Sequence, residues 1–402
     1  MSIIDDINIR KVLDSRGNKT VEVDILTISG AFGSAIAPAG ASKGSHEVLD
    51  YPPKGIDEAI KIYKEKVIPE LIGMDVLDQK SIDSLLHEID GTENFSTIGG
   101  NLAIATSIAA SKAGADFLGI PLYKYIGGVN AVKVPFPVGN VIGGGKHAIN
   151  GTTIQEFLVI TMADNVRNSI FTNAEIHKAI GKKLKEKLPN TSIGMGDEKA
   201  WVASIGDEDA FEILVNVIDE FKSSTGYKIY PAVDFAASSF YSNGKYKYRD
   251  RELTKEEQIE YVVNLVEKYG LYFVEDPLEE NDYDGFSKLT ELLGSKCLIV
   301  GDDIFVTNIE RFRKGVEMNA ANAILLKPNQ IGTLSDFIKT VNFAKESGYA
   351  TVFSHRSGET EDSYLADIAV GLNGDYIKTG TVGGERTTKL NQLIRIEVEL
   401  EE

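Results

Sequence analysis

The sequence has almost no cysteine and no long apolar run, and both absences narrow the class of protein. One cysteine, Cys297, lies in the apolar stretch "KCLIV", so the chain cannot form a disulfide within itself. We therefore expect a reducing compartment and a structural role in the core for Cys297. The amino terminus "MSIIDDINIRK" has no apolar signal core, and no run reaches the roughly 18 apolar residues of a membrane span. These features predict a soluble, cytoplasmic protein.

Positive charge is also scarce. The 402 residues include 42 Lys and Arg against 60 Asp and Glu, which gives a formal net charge of −18. This balance argues against a general binder of nucleic acid or of anionic membranes, although an acidic surface can still surround a cationic or metal-loaded site. The length predicts two domains, or a barrel with an additional domain.

The pattern of apolar residues changes along the chain. Residues 20–30 alternate as in a half-buried strand, and "GAFGSAIAPAGASKGS" indicates a strand that leads into a mobile loop. Apolar runs alternate with amphipathic helices from about Val134 onward. We therefore predict an α+β domain over residues 1–126 and a catalytic domain over residues 133–402.

Polar residues close most of the apolar runs in the second part. After Glu275 they recur about every 25 residues, which is the length of one βα unit, as expected at the catalytic face of an eight-stranded α/β barrel. A doubly wound open sheet gives similar spacing, but it would leave these residues in a row instead of a ring. In chain order the six residues are Asp234, Glu275, Asp302, Lys327, His355 and Lys378.

Three of these residues are carboxylates. A barrel would bring Asp234, Glu275 and Asp302 together, where their charges repel, and a divalent cation would remove that repulsion. Oxygen ligands without cysteine favour Mg²⁺ over Zn²⁺. The alternative is that each carboxylate caps a helix or pairs with a nearby Lys or Arg.

The two lysines suggest proton transfer. To act as a base at pH 7, Lys327 must lose a proton at a cost of roughly 4–5 kcal/mol, and burial, a second ammonium and a metal cation would all lower its pKa. The alternative is a structural lysine that pairs with a strand-end carboxylate. In "SHRSGETED", Arg356 and Ser357 offer the planar donor fork and the hydroxyl that suit a phosphate.

Taken in order, the motifs resemble those of enolase, the phosphopyruvate hydratase of glycolysis. The resemblance covers nearly the whole chain. It rests on "LDSRGNKTVEVD", "GASKG", "IGGGKHAINGTTIQEF", "VEDPLEENDY", "GDDIFVTN", "LLKPNQIGT", "SHRSGETED" and "ERTTKLNQLIRIEVEL". It implies an α+β domain before an eight-stranded α/β barrel of the TIM-like, enolase type, whose second strand and helix are reversed. It also implies a homodimer or a larger homo-oligomer.

The resemblance implies Mg²⁺-dependent, reversible dehydration of 2-phosphoglycerate to phosphoenolpyruvate. Lys327 would remove the proton from C2, and Glu198, with Glu156 beside it, would protonate the hydroxyl that leaves C3. Two Mg²⁺ ions would serve each site. The implied ligands are Asp234, Glu275 and Asp302 for the first ion and Ser42 of the mobile loop for the second. The implied substrate-binding residues are His147, Gln155, His355, Arg356, Ser357 and Lys378.

Three segments depart from the usual family pattern. The mobile loop has Ala39 and Lys43 where serine and threonine are usual, Lys199-Ala200-Trp201 replace two glycines and an aromatic residue, and "GGERTTK" lacks the usual serine. Lys43 would add charge near the second metal, and the residues after Glu198 could alter the placement of the acid. Two other hypotheses stay open: the same fold acting on another acid, and a binding protein that has kept the fold and lost the activity.

Overall fold

Three antiparallel strands open the chain, and the order in their sheet is the same as in the sequence. The computed structural model of the protein describes residues 1–41, 43–148 and 151–402. Val21, Val23 and Ile25 alternate on the buried face of the second strand, which confirms the strand predicted from that pattern. The strands are β1 (Ile4–Leu13), β2 (Lys19–Thr27) and β3 (Phe32–Ile36).

Five helices follow this sheet, and a π-helical turn joins the first two. The longest is buried on most sides, as its alanine-rich sequence predicts, and it packs against β2 and β3. The contact with β3 needs Gly33, because a Cβ there would lie 2.0 Å from the carbonyl oxygen of Ala109. The helices are α1 (Ile56–Ile62), α2 (Ile68–Leu71), α3 (Gln79–Asp90), α4 (Gly100–Leu118) and α5 (Leu122–Gly127).

Eight further strands close into a barrel, because the last of them pairs with the first. This confirms the predicted fold class and rules out the open sheet, which would have two free edges. The strands are β4 (Phe136–Gly143), β5 (Glu156–Met162), β6 (Lys228–Asp234), β7 (Phe273–Glu275), β8 (Leu298–Gly301), β9 (Ala323–Leu326), β10 (Ala350–Ser354) and β11 (Tyr376–Lys378).

The second barrel strand runs against the others. β5 is antiparallel to both β4 and β6, whereas the remaining neighbours in the barrel are parallel. The register pairs Glu156, the first residue of β5, with Asp234, the last residue of β6. The reversal therefore brings a strand-start residue to the rim where the other strands end.

Helices surround the barrel, and their ends follow the local sequence signals. The helix predicted after Thr254 begins with the expected capping box to Glu257 and ends at Gly270, which has φ 63°. No helix in the described ranges is long and apolar enough to cross a membrane. The helices are α6 (Val166–Lys187), α7 (Asp207–Thr225), α8 (Lys255–Tyr269), α9 (Tyr283–Leu293), α10 (Ile309–Glu317), α11 (Leu334–Glu346), α12 (Tyr364–Gly371) and α13 (Gly384–Glu401).

Short strands lie outside the barrel wall. Gly194–Met195 and Trp201–Val202 pair with each other and extend the sheet beside β4. Tyr241–Ser242, Lys245–Lys247 and Glu252–Leu253 form a small separate sheet.

Candidate active site

One cavity at the rim of the barrel gathers the predicted site residues. Of the thirteen, Ser42 lies outside the described residues, and the other twelve all line this cavity together with Gly40 and Ser354. The twelve are His147, Gln155, Glu156, Glu198, Asp234, Glu275, Asp302, Lys327, His355, Arg356, Ser357 and Lys378.

The ends of the strands bring these side chains together. Asp234 and Glu275 are the last residues of β6 and β7, and the register places them side by side. Asp302 and Lys327 come directly after β8 and β9. Because parallel strands end at the same rim, residues far apart in the chain share one cavity.

Lys378 lies among three of the carboxylates. Its Nζ is 2.7 Å from an oxygen of Glu275, 3.0 Å from Asp234 and 3.2 Å from Glu156. Burial alone would lower the pKa of Lys378, but the three carboxylates outweigh it and raise that pKa well above its ordinary value. Lys378 is therefore an ammonium ion that neutralises part of the acidic cluster.

Lys327 pairs with Asp302. The Lys327 Nζ donates to Asp302 Oδ2 at 2.5 Å, and 13% of the lysine side chain is exposed. Burial would lower the pKa of Lys327, but the charge of Asp302 raises it above its ordinary value. With these partners alone Lys327 holds its proton, so activation as a base needs the charge of Asp302 to be neutralised.

The carboxylates fit a hard divalent cation. Burial and the charge of Asp234 raise the pKa of Glu275 well above its usual range, which shows that the negative charges repel one another. Asp276 accepts hydrogen bonds from the backbone N–H groups of Asp302 and Asp303, at 2.9 and 2.7 Å, and so fixes the segment that carries Asp302. One oxygen each from Asp276, Asp302 and Asp303 lies within 4.8 Å of the others, and of the predicted ligands only Asp302 belongs to this group. An all-oxygen donor set of this kind suits Mg²⁺.

A second cluster of titratable side chains lines the same cavity. One ligand atom each from His147, Glu156 and Glu198 lies within 4.8 Å of the other two. Burial and the charge of Glu198 raise the pKa of Glu156 well above its usual range. Burial also opposes ionisation of Glu198, but His355 and His147 outweigh it and lower the pKa of Glu198. The two carboxylates therefore differ, because burial and repulsion favour the protonated form of Glu156 whereas the histidines favour the ionised form of Glu198.

The segment after Glu198 is tied to α6. Lys199 has φ 62°, in the left-handed region, and its carbonyl oxygen lies 2.8 Å from His177 Nε2. The His177 ring stacks on the Trp201 indole, whose N–H donates to the carbonyl oxygen of His177 at 2.8 Å. The residues that depart from the family pattern thus hold the segment after Glu198 against α6.

Glu47 reaches the barrel from the first part of the chain. Its carboxylate accepts hydrogen bonds from Arg356 Nη1 and Nη2, at 2.8 and 3.2 Å, and from Gln330 at 3.4 Å. The Gln330 amide also donates to Asp302 at 3.2 Å, so one amide links the loop to a predicted metal ligand. The sequence reasoning missed Glu47, since a single acid in a polar loop carries no distinctive signal.

The loop that contains Glu47 is held to the barrel by its backbone. Ala39 and Gly358 exchange two backbone hydrogen bonds of 2.8 Å, and the N–H of Ala41 donates to the hydroxyl of Ser357 at 2.6 Å. Lys43 pairs with Asp50, so its charge is compensated locally. The added charge that departs from the family pattern therefore has a partner in the structure.

The family comparisons agree with this architecture. The family model described as "Enolase, N-terminal domain" matches residues 4–126, and the one described as "Enolase, C-terminal TIM barrel domain" matches residues 131–402. The chain is 51% identical to a curated enolase of Picrophilus torridus over 99% of both chains. It is 49% identical to one of Thermoplasma acidophilum over 98% of both. It is 50% identical to one of Methanothermobacter thermautotrophicus, over 99% of this chain and 97% of that relative. The chain therefore belongs to the enolase family of hydro-lyases.

Proposed function

We propose that the protein catalyses the Mg²⁺-dependent, reversible dehydration of 2-phosphoglycerate to phosphoenolpyruvate. The observation that carries this proposal is that Lys327 and two glutamates line the same cavity as three further carboxylates, whose oxygens suit a metal ion. A hydrogen on the carbon next to a carboxylate is very weakly acidic, since its loss creates a second negative charge. Positive charge around that carboxylate lowers the barrier.

Lys327 is the base in this proposal. Asp234, Glu275 and Asp302 would hold the first Mg²⁺, and Ser42 would reach the second. When bound, Mg²⁺ supplies the charge that offsets these carboxylates and stabilises the dianion as it forms. With the charge of Asp302 offset, Lys327 would release its proton to water, and the neutral amine would then take the proton from C2 of the substrate.

Glu198 is the acid for the leaving hydroxyl, and Glu156 supplies its proton. The pKa of Glu156 is raised and that of Glu198 is lowered, and on that difference we assign the proton of the pair to Glu156 at the start of the reaction. Their carboxylate oxygens approach within 4.8 Å, a gap that one water molecule spans. We therefore propose that the two act as one unit, as coupled carboxylates do.

The remaining residues of the cavity bind the substrate. Arg356 and Ser357 are assigned to the phosphate and Lys378 to the carboxylate, whereas His147, Gln155 and His355 complete the wall. A phosphate would take donors of the guanidinium fork that here bond Glu47, together with the hydroxyl of Ser357, which favours this substrate over an acid without phosphate. The proposal includes a homodimer or larger homo-oligomer that works in glycolysis and gluconeogenesis in the cytoplasm.

A turnover assay on purified protein tests the proposal. With Mg²⁺ and 2-phosphoglycerate we expect the ultraviolet absorbance of the enol product to rise, and to stop rising when a chelator removes the metal. Lys327→Ala should fold and bind Mg²⁺ but turn over at least several hundred-fold more slowly, which is the usual effect of losing a positioned base.

Lys182→Ala serves as the matched control, because the Lys182 side chain is 80% exposed on α6. It should retain wild-type turnover. A folded, Mg²⁺-loaded wild type that forms no enol product would contradict the proposal and favour a binding protein that has lost the activity.

A further inference from the structure

Arg386 is a fully buried arginine at the start of α13 that the proposed chemistry does not use. A buried charge requires compensating contacts, since its transfer from water is costly. Among the described residues, Glu385 is the acid that forms an ion pair with Arg386, and its carboxylate oxygen lies 3.6 Å from Nε. The guanidinium instead directs its N–H groups toward the segment that follows β10.

Three contacts of Arg386 fall on consecutive residues of that segment, and a longer one runs from Nη2 to the carbonyl oxygen of Asp197, the residue before Glu198, at 3.4 Å. Its Nη1 donates to the carbonyl oxygen of Arg356 at 2.6 Å, and its Nη2 donates to that of Ser357 at 2.7 Å. Its Nη1 also lies 2.8 Å from Nδ1 of His355. One planar group thus fixes the backbone of the two residues assigned to the phosphate and the ring of the histidine before them.

The contact with His355 determines where the imidazole carries its proton. A guanidinium has only donors, so Nδ1 of His355 must act as the acceptor. The neutral ring then carries its single proton on Nε2, the nitrogen on the cavity side. That nitrogen lies 3.4 Å from an oxygen of Glu198. It makes no hydrogen bond to a described residue and is therefore a donor available at the acid.

We propose that Arg386 is a positioning residue, which fixes His355 as the Nε2–H tautomer and so presents an N–H donor to Glu198. This inference rests on the proposed function for the role of Glu198. Burial and the charge of Arg386 agree with a neutral ring, because they lower the pKa of His355 to about 4 despite the charge of Glu198. A fixed tautomer matters because the other tautomer would point a lone pair at a carboxylate.

A role of Arg386 in fixing the tautomer of His355 can be distinguished from a role in stabilising the fold alone. An arginine that only stabilises the fold would change the unfolding temperature and leave the tautomer of His355 unaltered. Selective ¹⁵N labelling of histidine distinguishes the two tautomers by their nitrogen shifts and proton couplings. The chain has five histidines, and His355→Gln identifies the signal of interest.

The test compares wild type with Arg386→Lys. Lysine keeps the positive charge but cannot donate to Nδ1 and two carbonyls from one plane. We expect the wild-type signal to show the proton on Nε2 and the variant to show a mixture of tautomers. We expect kcat to fall about 10- to 100-fold in the variant, as for other residues that orient a functional histidine. Arg395→Lys, at an exposed position of the same helix, should change neither quantity.

Each outcome decides a separate question. A wild-type signal with the proton on Nδ1 overturns the inference even if Arg386→Lys fails to fold. An unchanged tautomer in a folded variant also overturns it. If wild type shows the Nε2–H tautomer and the variant loses it, but neither protein turns over 2-phosphoglycerate, the positioning role stands and the proposed function fails.

Discussion

Lys199 has a backbone conformation that favours glycine. Its φ of 62° lies in the left-handed region, where a Cβ costs roughly 1–2 kcal/mol. The usual family pattern has glycine here, which agrees with that geometry. The strain persists because the carbonyl oxygen of Lys199 is held by His177, next to the predicted acid.

Replacing Lys199 by glycine should relieve this strain. We expect Lys199→Gly to be more stable than Lys199→Ala by about 1 kcal/mol, because both lose the long side chain but only alanine keeps the Cβ. Denaturant unfolding of the two variants measures the difference. Equal free energies of unfolding, or a more stable alanine variant, would mean that the left-handed conformation carries no strain.

Residues proposed to carry the chemistry were easier to identify in the sequence than residues that support them. Lys327 and Asp302 each follow an apolar strand, and that position is visible in the sequence. Arg386 lies in a polar segment whose sequence is typical of an exposed helix start. It is buried because it packs against Arg356, 30 residues earlier, in the segment that follows β10. Such a contact leaves no local signal.

At the level of elements, spacing predicted the barrel but not the direction of β5. An apolar strand has the same pattern read either way, so only the path of the connecting segments sets its direction. The reversal came from the family resemblance, and it is what brings Glu156 opposite Asp234. The polar ends of β6 to β11, in contrast, followed from the sequence because the strands are parallel and share a rim.

The anchor between α6 and the acid segment makes a prediction at this scale. His177→Phe keeps an aromatic ring against Trp201 but removes the nitrogen that holds the carbonyl oxygen of Lys199. We expect kcat for 2-phosphoglycerate to fall about 10-fold with little change in KM, since small errors in placing a catalytic group cost rate more than binding. Steady-state kinetics measure both constants.

Trp201→Phe is the matched control for this prediction. It keeps the stacked ring and the His177–Lys199 contact, and it removes only the indole N–H bond to the carbonyl oxygen of His177. Its kcat should stay within a few-fold of wild type. If Trp201→Phe lost as much activity as His177→Phe, the indole N–H bond to His177 would matter as much as the contact with Lys199, and that contact would not by itself place the acid.

At the scale of the whole molecule, the first part of the chain is joined to the barrel by polar contacts as well as by apolar packing. The N–H of Ser335 at the start of α11 donates to Asp83 of α3 at 2.9 Å. Lys112 of α4 pairs with Asp362 beside α12 at 2.6 Å. Glu47 adds its bonds to Arg356 inside the cavity. The cavity that holds the candidate site is thus lined by residues from both parts of the chain.

Another polar contact between the two parts of the chain should make the free energy of unfolding depend on pH. His87 Nε2 of α3 lies 2.6 Å from Asp336 Oδ2 of α11. The hydrogen bond to Asp336 raises the pKa of His87. Burial opposes ionisation of Asp336, but its bonds to His87 and Thr333 lower its pKa below the ordinary value.

A raised histidine pKa stabilises the fold at low pH, and this contribution is lost as pH rises through the folded-state value. The lowered pKa of Asp336 stabilises the fold at higher pH, and this contribution is lost as the pH falls through the folded-state value of that carboxyl.

The two dependences together confine the contribution of the pair to a window between roughly pH 4 and 6.5, with a decline above it. His87→Gln should therefore lower the thermal unfolding midpoint at pH 6 and have progressively less effect toward pH 9. The effect should stay below about 1 kcal/mol, because the His87 side chain is 41% exposed and water screens the pair.

His46→Gln, at an exposed loop position, controls for the loss of a histidine as such. A constant difference between wild type and His87→Gln over this pH range would show that the contact between α3 and α11 rests on packing and that protonation of His87 contributes nothing to it.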